Sequence, residues 1–369
     1  MRNTKVCLAA LALLVMYNGK AAFDSAQFNE GGKPLEISRI TPDGKDVPAG
    51  RQLVFQFNQP VVPVGRMERD ADEIPVDISP LLACEWRWLD TSALACQLGD
   101  SATMRPATRY RIVVSPGIET EDGRTLGEAL THEFITERPR VQSAWFNTWR
   151  GPGTPQINVA FNQLVTPASV ERRLYLRRAG TTGQRLAVTA APTSEEQSGP
   201  QRGWMLEPQT PLPLASGMEL VVEPGLVSAD GPERGREDRI VVSFDTFPEF
   251  RFLGARCTDN YRAGLHISPQ NKELRRKCNP LSGIGLAFSA PVISDVIRDH
   301  MVFGPDLAGG REDYDPWENH YAYSSLGAPH QMGREYVVWL PENLRAAQTY
   351  SIQSGVELKD EFGRPLPEP

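Results

Sequence analysis

Two phrases recur in the same order three times along the chain, and this recurrence restricts the fold more than any other feature. The first phrase is LVFQFNQPVV at 53–62, INVAFNQLVT at 157–166 and GLAFSAPV at 285–292. Its apolar residues alternate in one register: Leu53, Phe55, Phe57; Ile157, Val159, Phe161; Ile284, Leu286, Phe288. A period of two marks a half-buried strand. The second phrase is RPATRYRIVVSPGIETEDGRTLG from Arg105, PLASGMELVVEPGLVSADGPERG from Pro213 and LRAAQTYSIQSGVELKDEFGRPL from Leu344. Each copy opens an alternating strand at Tyr110, Met218 or Tyr350, passes a glycine (Gly117, Gly225, Gly355), and turns at Asp122-Gly123, Asp230-Gly231 or Phe362-Gly363. Glycine in such turns permits positive φ without steric cost. A further strand is expected between the phrases, near Trp86 and Trp88, from Trp204 to Leu206, and from Tyr336 to Trp339.

The repeating unit is therefore a set of short strands with frequent turns, roughly 100 to 130 residues long, the size of an immunoglobulin-like domain. Glycine and proline number 31 each, and no long amphipathic helix is evident. The expectation is an all-β chain of three tandem immunoglobulin-like antiparallel β-sandwiches, at 22–137, 138–247 and 248–369. The boundaries fall at Glu137-Arg138-Pro139 and Phe247-Pro248-Glu249. After its Asp-Gly turn the first domain continues into a strand from His132 to Thr136, and the second into one from Arg239 to Thr246. The third has no such stretch after Phe362-Gly363. It reads as lacking its last strand, and the chain as part of a longer protein.

Residues 1–21 read as a secretory signal peptide: Arg2 and Lys5 precede an apolar run from Val6 to Tyr17, with Gly19 and Ala21 near the cut. Cys7 is not preceded by the small residues of a lipidation site, so the expected location is periplasmic or secreted, without stable membrane insertion. The formal charge of −7 becomes more negative once Arg2, Lys5 and Lys20 are removed, which excludes nucleic acid as a natural partner. Cys84, Cys96, Cys257 and Cys278 then remain, an even number in an oxidising compartment. Cys84 and Cys96 flank EWRWLDTSALA, a hairpin around Asp90. Pairing by numbers that sum to 180 sets Trp86 opposite Leu94 and Cys84 opposite Cys96, a geometry for a disulfide, with two buried thiols as the alternative. Cys257 and Cys278 bracket an insertion without counterpart in the other domains, for which a staple is expected. A zinc site with His266 is the weaker alternative, because the spacing matches no metal motif. Lys272, Arg275, Arg276 and Lys277 in that insertion read as a solvated basic face.

REDYDPWENHYAY, at 311–323, concentrates acidic and aromatic residues. It lacks the glycine of a calcium loop and is expected to be an aromatic-anchored contact loop, with Asp313, Tyr314, Asp315, Trp317 and His320 as its candidate residues. His320 and His330 read as polar surface residues. Ser282-Gly283-Ile284-Gly285 is half of a nucleophile motif, at a strand start where sheet geometry accounts for both glycines. With no nucleophile, base and charge-stabilising group together, the chain is expected to be neither an enzyme nor a cofactor binder.

The segments LVFQFNQPVVPV and RYRIVVSPGIETEDGRTL, in tandem after a signal peptide, resemble the N-terminal region of bacterial alpha-2-macroglobulin-like proteins. That resemblance covers nearly all of the chain beyond the leader. It implies an envelope protein that entraps or blocks proteases, with further domains in a longer chain and proteases or envelope proteins as partners. No cysteine here stands in a Cys-Gly-Glu-Gln thioester context, so no reactive residue is carried over. The alternative is a stand-alone array of immunoglobulin-like domains for adhesion or envelope protein binding.

Overall fold

The computed structural model describes residues 33–63, 68–69, 73–193, 199–269, 276–322, 326–341 and 344–367. The leader at 1–21, and Lys272 and Arg275 of the basic cluster, lie outside them.

In the first domain the strands are β1 (Ile37–Thr41), β2 (Gly44–Val47), β3 (Gln52–Phe57), β4 (Glu68–Arg69), β5 (Val76–Ser79), β6 (Cys84–Asp90), β7 (Ala93–Leu98), β8 (Arg109–Val114) and β9 (Leu130–Thr136). They form two sheets, β1-β3-β7-β6-β4 and β2-β9-β8-β5. The second domain holds β10 (Val141–Gly151), β11 (Thr154–Val165), the helix α1 (Pro167–Arg173), β12 (Leu174–Arg178), β13 (Leu186–Pro192), β14 (Gln201–Pro208), β15 (Gly217–Val222) and β16 (Arg239–Asp245). Its strands run as one series, β10-β11-β14-β13-β12-β15-β16. The series is continuous because β13 pairs with β12 through Leu186 and Ala187 and with β14 from Val188 onward, so one strand passes from layer to layer. The third domain comprises β17 (Phe252–Thr258), β18 (Gly264–Ile267), β19 (Ile284–Phe288), the helix α2 (Ser294–His300), β20 (Met301–Gly304), β21 (Tyr321–Ala322), β22 (Tyr336–Leu340) and β23 (Ser351–Ser354). It is built as β18-β17-β19-β22-β21 facing β20-β23. The fold is all-β, with antiparallel sheets throughout except where β2 joins β9 in parallel.

The first repeated phrase forms β3, β11 and β19, and its polar residue has a structural reason. Asn58 accepts from Glu36 N at 3.1 Å and donates to Pro34 O at 2.8 Å. Asn162 accepts from Arg140 N at 2.8 Å and donates to Arg138 O at 3.0 Å. Ser289 accepts from Arg251 N and donates to Glu249 O, both at 2.8 Å. In each domain the residue after the last Phe of the phrase thus clamps the chain entering the first strand. The neighbouring register is also shared: Phe57, Phe161 and Phe288 each pair just before a one-residue bulge in β1, β10 or β17. Removing the clamp in Asn162→Ala deletes two hydrogen bonds at a domain entrance, each contributing about 1 kcal/mol. The expected loss is about 2 kcal/mol of stability in the second domain, measured as a denaturant midpoint. An unchanged midpoint would show that the clamp is decoration.

The second phrase is equally regular. Ala107, Ala215 and Ala347 adopt positive φ of 47°, 48° and 59° ahead of β8, β15 and β23. Gly123 and Gly363 take the expected positive φ, at 80° and 79°. Gly231 does not, and its reason is different: a Cβ there has no room against the Pro106 and Ala107 carbonyls of the first domain. A residue expected for its turn conformation serves a close approach between domains instead.

The hairpin register differs from the one the sequence suggested. Cys84 faces Leu98, Trp86 faces Cys96 and Trp88 faces Leu94. Asp90 accepts hydrogen bonds from Ser92 N at 2.6 Å and Ser92 Oγ at 3.0 Å, and this local bond closes the turn two positions from the expected pairing. The disulfide Cys84–Cys96 still forms, with Cα atoms 4.9 Å apart, across the diagonal of the ladder.

Apolar packing divides the molecule unequally. The first domain has its own core, around Phe55, Trp86, Tyr110 and Phe134. The second and third domains share one contiguous cluster running from Val141 to Leu366.

Candidate functional site

The expected contact loop packs against α2. Trp317 is buried, with its ring 6.3 Å from Phe303 in an edge-on arrangement. Asp315 accepts from Trp317 N at 3.0 Å and pairs with Arg298 of α2 at 2.8 Å. His320 Nδ1 lies 2.5 Å from the Trp317 carbonyl, and its Nε2 lies 3.7 Å from Asp295. Arg311 stacks 3.8 Å above the Tyr314 ring, while Asp313 is exposed. Of the acidic residues that suggested a cation, Asp315 is engaged by an arginine. No group of three or more His, Cys, Asp or Glu suited to a metal occurs among the described residues.

The insertion behind β17 is stapled by Cys257–Cys278, with an S–S length of 2.01 Å. Its polar centre is Asp259, which accepts from Tyr261 N at 2.9 Å and Ala263 N at 2.8 Å and pairs with Arg276. The Arg276 guanidinium, followed by those backbone donors, holds the Asp259 carboxyl below the usual range. His266 of β18 is not drawn to the cysteines; its Nε2 lies 2.8 Å from Leu253 O. Ser282 binds the Asn279 carbonyl at 2.8 Å in a 3-10 turn that leads into β19.

More unusual chemistry is found where the domains meet, at residues that read from sequence only as boundaries. Arg138 is 4% exposed. Its guanidinium bonds Asp46 of the first domain at 2.8 and 2.9 Å and Glu233 of the second at 3.2 and 3.3 Å. Glu233 also donates its N–H to Ala107 O at 2.7 Å, and Arg109 reaches the same carboxylate at 3.1 Å. A planar, always-charged guanidinium forked between two carboxylates fixes both distance and angle.

At the second joint, Phe247 is completely buried among Trp149, His330, Tyr336 and Phe362, with ring centroids 5.0, 4.3, 5.8 and 5.0 Å away. Trp149 Nε1 donates to Ala328 O at 3.0 Å, and Asp245 N donates to His330 O at 2.8 Å. His330, expected on the surface, is 1% exposed; its Nδ1 lies 2.8 Å from Tyr336 Oη, and its Nε2 has no hydrogen-bond partner among the described residues. Burial pushes His330 down to about 4 and Tyr336 up to about 12, so both are neutral at pH 7. The signal that could have exposed this joint was the aromatic at the end of the second repeat, where Phe247 follows the last alternating strand.

The two disulfides place the chain in an oxidising compartment, and no helix among the described residues is long and apolar enough to cross a membrane. No family model and no curated protein matches the chain. Among solved structures it overlaps native alpha-2-macroglobulin from Escherichia coli, spanning domains MG0-NIE-MG1, at 11% identity over 70% of this chain and 94% of that one, with a TM-score of 0.22. An L,D-transpeptidase from Mycobacterium smegmatis overlaps at 14% identity, covering 45% and 78% respectively, with a TM-score of 0.21. The N-terminal part of the bacterial S-layer protein SbsC gives 13% identity, 48% and 44%, and 0.21. Overlaps this loose support no statement about shared activity, and the fold assignment rests on the strands themselves.

Proposed function

We propose that the chain is a non-catalytic scaffold of the cell envelope, part of an assembly that blocks or entraps proteases in the manner of the bacterial macroglobulins it resembles in sequence. The observation that carries the scaffold reading is the construction of both joints. A buried arginine ties the first domain to the second, and a common aromatic core ties the second to the third. Modules joined this way hold spacing and orientation, the property a scaffold needs. Side chains that could do chemistry, His330 and Tyr336, are held neutral and buried inside a joint, away from any substrate.

The test has two readouts. The purified chain is mixed with trypsin or thermolysin, and hydrolysis is followed on a casein substrate and on a short chromogenic peptide. Protease blocking is expected to slow casein cleavage while the short peptide is cut at the normal rate. Equal rates on both substrates would remove the protease-blocking role. Labelling by serine- or cysteine-hydrolase probes, lost on a single substitution, would remove the non-catalytic one.

A further inference from the structure

Two large side chains of the third domain lie almost wholly in solvent: Tyr261 is 92% exposed and Leu281 80%. They stand on neighbouring turns at one end of the sheet. Tyr261 is in the turn between β17 and β18, and Leu281 is in the 3-10 turn that leads into β19. Because β17 pairs antiparallel with both β18 and β19, the end of β17 lies beside the start of each. The other end of β17 is the clamp of Ser289 on Arg251, close to the joint with the second domain. The seven residues of β17 span about 20 Å at the usual rise of a strand, so the two turns project away from that joint.

Both turns are held from within. Asn279 N donates to Thr258 O at 2.6 Å and Thr258 N to Ser282 Oγ at 3.3 Å, which ties one turn to the other. The buried Asp259 carboxylate fixes the first turn and takes Arg276 from beside the Cys257–Cys278 staple, while Asn279 Oδ1 accepts from Leu281 N at 3.0 Å in the second. The backbone under each apolar side chain is thus already ordered, and a contact made there loses little conformational entropy. The surroundings are basic. In the described residues 259–264 and 276–282, Arg262, Arg276 and Lys277 are exposed, against the single carboxylate of Asp259, which Arg276 already engages. On a chain of formal charge −7 this is a local reversal of sign. The site is also convex. A protein partner would need a pocket cut to two separate tips, whereas a lipid surface has no shape of its own to match. Tyrosine rings settle at the headgroup level, apolar side chains enter the acyl boundary, and arginine and lysine attract lipid phosphates.

We propose that this end of the third domain docks on an anionic lipid surface, with Tyr261 and Leu281 entering the headgroup region and Arg262 and Lys277 facing lipid phosphates. The contact is peripheral and reversible: one leucine, one tyrosine and two cations give half-binding at roughly 0.1 mM lipid. Charge selects the surface, and the two apolar side chains hold the protein on it. This inference stands independently of the protease-blocking role.

The test uses the chain from Ala22 onward, which contains every described residue, and sediments it with vesicles of phosphatidylcholine mixed with phosphatidylglycerol or of phosphatidylcholine alone. Binding is expected with the mixed vesicles, to weaken as salt is raised, and to be slight with the neutral ones. Leu281→Ser is expected to weaken binding roughly 10-fold, from the loss of one inserted apolar side chain. Arg262→Glu combined with Lys277→Glu is expected to reduce binding to the mixed vesicles to the level seen with neutral ones. All three positions are exposed, so the denaturation midpoint of each variant is expected to match the parent's. No binding to the mixed vesicles, equal binding to neutral ones, or variants that bind as the parent does would each overturn the proposal. Self-association of the parent that Leu281→Ser abolishes, without binding to lipid, would overturn it in favour of a second copy of the chain.

Discussion

Phe247→Ala is expected to split the unfolding of the second and third domains into two separate transitions and to cost about 3–5 kcal/mol, the range for deleting a large buried aromatic. The reason is position. Phe247 contributes to no strand, yet its ring touches Trp149 of the second domain and His330, Tyr336 and Phe362 of the third. Its backbone is also held, donating to Pro152 O at 3.0 Å and accepting from Ala215 N at 3.2 Å. Removing the ring leaves a cavity lined by both domains, which neither can refill from its own core. Calorimetry of the parent is expected to show the first domain unfolding as one unit and the other two as a second. The variant adds a third transition at lower temperature. A variant that still melts the second and third domains together, at an unchanged temperature, would mean that their common core does not couple them.

Acid is expected to loosen the same joint. His330 is held at about 4 by burial, whereas in the unfolded chain it titrates near its ordinary 6.5. Asp245 pulls its value upward, but burial, reinforced by the positive charge of Arg334, outweighs it. With the folded value depressed, the unfolded state binds the extra proton first. The contribution to stability is intact above about pH 6.5 and is lost as pH falls through about 4. The full loss is roughly 3 kcal/mol, because each tenfold difference in proton affinity between the folded and unfolded chain is worth about 1.4 kcal/mol. His330→Asn retains a polar side chain beside Tyr336 Oη but cannot titrate. It is expected to remove this limb of the pH profile at some cost at neutral pH. Denaturant midpoints between pH 7 and 4 decide it: identical slopes for parent and variant would place the acid sensitivity elsewhere.

The part of this protein that its sequence determined by itself is the repeated unit. Alternation at Leu53, Phe55 and Phe57 and its two echoes sufficed for the strands, because side-chain direction in a strand is a local consequence of backbone geometry. The all-β class followed from the same period and from the turn glycines. Cysteines close in sequence lie within a short loop's reach, so proximity in the chain was enough to suggest each staple. The hairpin register was not legible to within two residues, since the Asp90 to Ser92 bond sets where the turn closes. Only the tertiary structure decided the rest. Arg138, Gly231, Phe247 and His330 look like linker or surface residues because their partners are tens to more than a hundred positions away, and nothing local marks a buried charge that is neutralised from two domains. The pairing of β23, with β20 alone among the described residues, is of the same kind. The exposure of Tyr350, Ile352 and Gln348 depends on which strands stand on each side of them, and pairing between strands is a property of the folded chain.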